Sequence, residues 1–285
     1  MAKKKVKASK IEIKKLPNVW ELIKKTWFEG TTFWRPLTGL LIIYALLYFV
    51  LVMGLSFSSY LQNPLSTSTG GLSKTLSTIF AVINTNSLTD GTQSDATVLI
   101  QFLLFLIASL AFIWTLRKLQ ALKKIKLRDA YYQGTSTLIP VILVSMVLIL
   151  TVLPAIAGSA ILATALQSGA SGIETLIVSL ISGLLLLLSL VLFVMLWPAF
   201  YIVSLPQTRP MQAIRAAAKV TKKHRFAILR KMIMLAILSF VLLFIILLPI
   251  ALAVSVIVPE VAFVLLFIVF GFCHVYLYTL YRSLL

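Results

Sequence analysis

The sequence predicts an all-α integral membrane protein with six transmembrane helices and three interfacial amphipathic helices. Its arrangement reads as a pseudo-threefold repeat of one interfacial helix plus two spans. Three observations predict this. Hydrophobic residues fill 60% of the 285 positions against 12% charged, with a mean hydropathy of +1.02, well outside the soluble range. Six apolar stretches, at about 37–58, 97–116, 138–165, 174–204, 232–257 and 261–281, reach the roughly 20 residues that hydrocarbon requires. The charges alternate from one inter-span segment to the next.

That alternation predicts orientation, because Lys and Arg near span ends stay on the cytoplasmic side. Residues 1–36 carry ten basic side chains, Arg117 to Ser136 six, and Leu205 to Lys231 eight, with Arg282 near the end of the chain. The opposite segments hold Lys74 as their single cation, beside the acids Glu174 and Glu260. Both termini are therefore expected in the cytoplasm. The +18 net charge is divided among segments pinned to a bilayer, so the expected partners are membrane lipids with anionic headgroups, not nucleic acid.

In order along the chain, residues 1–16 form a basic cytoplasmic tail that enforces topology. The apolar run behind it is too long and too far from the start for a cleaved signal, so it is expected to remain as the first span. Residues 17–285 form one membrane domain, with units at about 17–116, 117–204 and 205–285. Cys273, the one cysteine, precludes an internal disulfide.

The repeat is carried by "FEGTTFWRPL" at 28–37 and "YQGTSTLIPV" at 132–141. Phe28 aligns with Tyr132, Gly30 with Gly134, Thr31 with Thr135, Thr32 with Ser136 and Pro36 with Pro140; upstream, Ile23-Lys24 aligns with Leu127-Arg128. A more divergent copy places Ile214-Arg215 and Ala217 over Leu127-Arg128 and Ala130. Each copy leads from an interfacial helix into a span. Glycine is expected to permit the turn, the hydroxyls to cap amides of the new helix, and proline to sit where no donor is needed.

Periodicity assigns faces to the interfacial helices. In the third unit Met211, Ile214, Ala218 and Thr221 share one face, while Arg215, Lys219 and Lys222 share another. The first unit sets Trp20, Ile23 and Trp27 beside Lys24, with the indoles as interfacial anchors. In the second, Leu127, Ala130 and the anchor Tyr131 oppose Lys124 and Arg128. The six cations are the expected headgroup contacts. Pro154, Pro198 and Pro249 read as helix kinks, with a gate as the sharper alternative. The polar outer loop 59–96 contains Leu72, Leu76, Ile79, Phe80 and Ile83 at helical spacing, as for a helix resting on the outer leaflet or a lid.

Catalytic chemistry is hard to place. No hydrolase, zinc-protease or phosphate-loop pattern occurs, no cofactor is implied, and Asp90 and Asp95 lie in a solvated loop. The only charged residue inside the predicted spans is Glu174, at an outer end. Polar residues available within the bundle are Gln101, Ser145, Ser182 and His274, the last read as a hydrogen-bonded packing histidine. Ser182-Gly183 and Gly158-Ser159 read as close-packing positions.

The three-unit layout and the segment "PMQAIRAAAKVTKKHRFAIL" entering the fifth span resemble the six-helix membrane region associated with bacterial glycerophosphodiester phosphodiesterases, and related stand-alone bacterial membrane proteins of unknown function. The resemblance implies a bacterial inner membrane. In fused relatives it places catalysis in a separate soluble barrel, so no catalytic residue carries over. The expected function is a non-enzymatic membrane protein that binds the inner leaflet and serves membrane organisation, envelope assembly or a membrane-protein partner. The alternative is a carrier or channel for a lipid or uncharged solute, with Gln101, Ser145, Ser182 and His274 lining its cavity. A membrane-embedded lipid enzyme would need an acid–base constellation that the sequence does not offer.

Overall fold

A computed structural model describes residues 17–53, 95–121, 126–167, 172–205, 208–253 and 258–284. The basic tail, most of the outer loop and Lys124 lie outside the described residues. Among those described, all regular structure is helical. The helices are α1 (Val19–Thr32), α2 (Trp34–Tyr48, continued by a π-helical turn Phe49–Met53), α3 (Asp95–Gln120), α4 (Leu127–Gly134), α5 (Leu138–Gln167), α6 (Gly172–Leu196), α7 (Pro198–Val203), α8 (Pro210–Thr221), α9 (Arg225–Ala253) and α10 (Val258–Leu284). Six stretches are long and apolar enough to cross a membrane: Trp34–Val52, Val98–Gln120, Leu127–Gln167, Gly172–Val203, Arg225–Ile250 and Val261–Leu284. This is a multi-pass membrane protein by length and composition.

The centre is built on α3 and the second half of α10. Leu106, Leu110, Ala111, Phe112, Ile113 and Leu116 are almost wholly buried, covering every side of α3. A helix apolar all round with no preferred face belongs inside a bundle. On α10, Val275, Tyr276, Tyr278, Leu280 and Tyr281 face inward. The hairpin of α5 and α6, by contrast, exposes rows of Leu and Ile, as a lipid-facing pair does. Its internal seam uses small residues: a Cβ on Gly158 would lie 3.1 Å from the Ser182 carbonyl oxygen, and Ser189 donates to the Thr151 carbonyl at 2.7 Å. Gly183, expected to share that seam, faces open space.

The repeated turn is built differently from the sequence expectation. Phe33 alone separates α1 from α2: its N–H donates to the Glu29 carbonyl at 3.1 Å, while its own carbonyl accepts from Leu37 N–H at 3.3 Å. In the second copy a single 3₁₀ turn, Thr135–Thr137, joins α4 to α5. Such short breaks free few amides, and the hydroxyls turn backwards to carbonyls a helical Thr or Ser already reaches. Thr31 Oγ1 donates to Trp27 O at 3.0 Å, Thr135 Oγ1 to Tyr131 O at 2.9 Å and Ser136 Oγ to Gln133 O at 2.7 Å. Neither glycine makes the turn. Gly134 is helical, with φ −62° and ψ −41°, and its missing side chain lets α4 approach α3, where a Cβ would stand 3.2 Å from Ala111 Cα. Gly30 has nothing within 4 Å of an added Cβ. The prolines do match expectation, Pro36 and Pro140 each standing third in α2 and α5. Pro154 and Pro249 lie inside α5 and α9, both of which continue through them, whereas Pro198 opens α7.

These two glycines predict opposite responses. Gly134→Leu forces a side chain against α3 backbone and is expected to lower stability by about 1–3 kcal/mol, while Gly30→Ala is expected to raise it by up to about 1 kcal/mol. Thermal unfolding of the purified protein in detergent checks both; equal midpoints for the two variants would contradict the packing assigned to Gly134.

Candidate functional site

The basic side chains of α1, α4 and α8 are held outward by what these helices bury. On α8, Ala213, Ala217 and Thr221 are fully buried against α5, α6 and α7, and Thr221 Oγ1 donates to Ala217 O at 2.9 Å and Met195 O at 3.3 Å. Arg215, Lys219 and Lys222 consequently lie exposed together, as their spacing predicts. The apolar face differs from the expected one, since Met211 is exposed and the alanines take the protein side. Small side chains allow the backbone of α8 to come close, so the smallest residues win the contact.

On α1 the buried residues are Leu22 and Thr26, which leaves Lys24 outward and the indoles of Trp20 and Trp27 exposed at 74% and 67%. On α4, Ala130 and Gly134 are buried while Arg128 is exposed. Leu127 packs on α2, where a Cβ on Gly39 would fall 2.9 Å from Leu127 Cδ1. Tyr131 faces the same way, and its hydroxyl donates to the Leu40 carbonyl at 3.2 Å, so its polar tip is engaged inside the protein. The outward aromatic of this helix is Tyr132.

A polar layer at the same end joins helices remote in sequence. One carboxylate oxygen of Glu29 on α1 accepts from Gln120 Nε2 of α3 at 3.1 Å and from Thr279 Oγ1 of α10 at 3.0 Å. Gln120 in turn accepts from Arg282 Nη1 at 2.6 Å. Arg117 reaches the end of α7, donating to the Ser204 carbonyl at 3.1 Å and its hydroxyl at 2.9 Å. None of these contacts had a signal in the sequence beyond Glu29 being an acid amid many bases. Because Glu29 meets residues near the end of α10, the two ends of the described chain lie together.

Lys231 breaks the pattern of outward cations. Counted by sequence among the inner basic residues, it is 2% exposed on α9, and its Nζ has no hydrogen-bond partner. The hydroxyl of Tyr276 donates to its backbone carbonyl at 3.1 Å.

The four polar residues expected within the bundle have separate partners among the described residues. Gln101 Nε2 donates to the Tyr48 hydroxyl at 3.3 Å, and Ser145 bonds its own helix at Ile142 O. Ser182 packs on Gly158. His274 is buried among the rings of Phe105, Phe112 and Phe270, its Nε2 3.1 Å from Ser109 Oγ and its Nδ1 without a partner. That is the packed, hydrogen-bonded histidine the sequence suggested. No group of three or more His, Cys, Asp or Glu able to hold a metal ion occurs among the described residues.

No family model, curated protein or solved structure matches this chain. Nothing in these comparisons links the chain to the phosphodiesterase-associated membrane region.

Two substitutions test the polar layer and the buried cation. Glu29→Ala leaves Gln120 Nε2 short of an acceptor, whereas Thr279 keeps the Val275 carbonyl at 2.8 Å, and is expected to destabilise by about 1.5–3 kcal/mol, with Glu29→Gln recovering part of the loss. Lys231→Met replaces an unpartnered ammonium with an apolar chain of similar length and is expected to stabilise by about 1 kcal/mol or more. Thermal unfolding in lipid discs checks both, and a lowered midpoint for Lys231→Met would mean that its charge has a partner.

Proposed function

We propose that this chain is a non-enzymatic, multi-pass protein of a cell inner membrane, with both termini cytoplasmic. Its basic amphipathic helices bind anionic headgroups of the inner leaflet, and it serves membrane organisation, envelope assembly or support of a membrane-protein partner. The observation that carries the reading is α8. It buries alanines against the bundle and leaves Arg215, Lys219 and Lys222 exposed on one side. A helix held in this way beside apolar spans offers its cations to phosphate at the membrane surface.

The repeat reading is supported by a common phase. Thr26, Ala130 and Ala217 occupy equivalent positions and all are buried, while Lys24, Arg128 and Arg215 are equivalent and all are exposed. Each unit therefore turns a cation outward at the same place in its short helix. The separate partners of Gln101, Ser145 and His274 weigh toward the scaffold and away from a carrier.

Changing Arg215, Lys219 and Lys222 together to Gln removes three juxtamembrane charges, each worth on the order of 1 kcal/mol, and is expected to weaken retention of anionic lipid by roughly a hundredfold. Native mass spectrometry of the protein released from discs of mixed anionic and zwitterionic lipid provides the readout. An unchanged preference for the anionic component would overturn the headgroup role.

A further inference from the structure

A groove of about 170 Å³ runs between α1, α2 and α10, bounded by Gly30, Trp34, Leu41, Gly271, Phe272 and Val275. We propose that it seats one acyl chain of a phospholipid from the leaflet in which α1 lies, with the Arg35 guanidinium holding the phosphate. This rests on the placement of α1 at the membrane surface.

Size, direction and chemistry each point to hydrocarbon. An enclosed apolar cavity of around 150 Å³ accepts a guest the size of benzene, so an open groove of about 170 Å³ has room for a segment of an acyl chain. The lining runs from Trp34 to Leu41 on α2 and from Val275 back to Ile268 on α10, which at 1.5 Å per residue is about 10 Å along the spans, the direction an acyl chain takes. Thr31 and Thr38 lie in the lining, yet both hydroxyls already donate to carbonyls of their own helices. A polar solute would find little to bind there. Gly30 is what leaves the upper part open, since an added Cβ there meets nothing within 4 Å.

Charge enters at the rim. Arg35 is not part of the lining, but its Cζ stands 5.9 Å from the ring centre of Trp34, which is, so its guanidinium is the cation assigned to the phosphodiester. Moving a chain from bilayer to groove yields no hydrophobic gain, because both are hydrocarbon. Shape and the charge-assisted bond between guanidinium and phosphate must supply the retention.

The test uses the full chain in vesicles containing phosphatidylglycerol with a photoactivatable diazirine on its acyl chain. Adducts are expected to concentrate on peptides holding Trp34–Leu41 and Ile268–Val275, above the lipid-facing background on α5 and α6. Gly30→Phe fills the groove, and Arg35→Gln removes one charge-assisted bond; each is expected to cut these adducts about tenfold while leaving those on α5 and α6 unchanged. Gly30→Leu, a smaller filling, is read alongside, and an unfolding midpoint no lower than the parent's establishes that each variant folds. Adducts spread evenly over all lipid-facing helices, or untouched by either Gly30 variant, would overturn the proposal. A second probe with the diazirine in its headgroup reports whether α1 lies at the surface, separating failure of that premise from failure of the groove. The Arg215, Lys219 and Lys222 variant is expected to leave the groove adducts intact, because those cations lie on α8.

Discussion

Every N–H and C=O that enters hydrocarbon has to find its partner inside the protein, and the rest of this structure follows from that constraint. Helices meet it for the backbone. Hydroxyl side chains meet it by turning back to carbonyls three or four residues earlier, as Thr31, Thr38, Ser145 and Thr151 do. Two of the breaks between helices are held to one residue at Phe33 and one 3₁₀ turn at Thr135–Thr137, so few backbone groups are released there. A hydroxyl used in this way has committed its proton to its own helix.

One layer of polar contacts between helices is built around charged side chains. Glu29, Gln120, Thr279 and Arg282 tie α1, α3 and α10 together, and Arg117 secures the end of α7. With 26 basic residues against 8 acidic ones, the chain's cations repel one another, and an acid placed among them relieves part of that repulsion. Glu29 does so while fixing α1 on α10. The position of α1 in turn decides where its outward face lies, so an internal tether sets the geometry of that face.

The spans and their order were legible because each depends on local composition, which tertiary packing does not alter. The facing of the short helices was legible only for charges. On α8 the cations fall where their spacing puts them, but two apolar stripes overlap in "PMQAIRAAAKVT", and the choice between them turns on how closely α6 and α7 approach. Alanine 's low hydrophobicity hides its value as a packing residue there. Lys231 was hidden for a related reason: beside Arg230 it reads as one more cation at a span end, and nothing local distinguishes the residue that points inward. Glu29 likewise depends on partners 91 and 250 positions away.

The repeated motif shows how one sequence pattern comes to different ends. Under the repeat reading, Gly30 and Gly134 descend from one position, and both stand near the C-terminal end of their short helix. In the second unit the missing side chain lets α4 press on the backbone of α3, since a Cβ would stand 3.2 Å from Ala111. In the first, α1 rests instead against α10 and the same absence opens onto a groove. The third copy has Thr221, whose hydroxyl reaches the Met195 carbonyl. The aligned positions thus differ in what they do: close contact at Gly134, open space at Gly30 and a hydrogen bond at Thr221. Motif identity fixes the helix phase; the neighbour that each unit meets fixes what the position does.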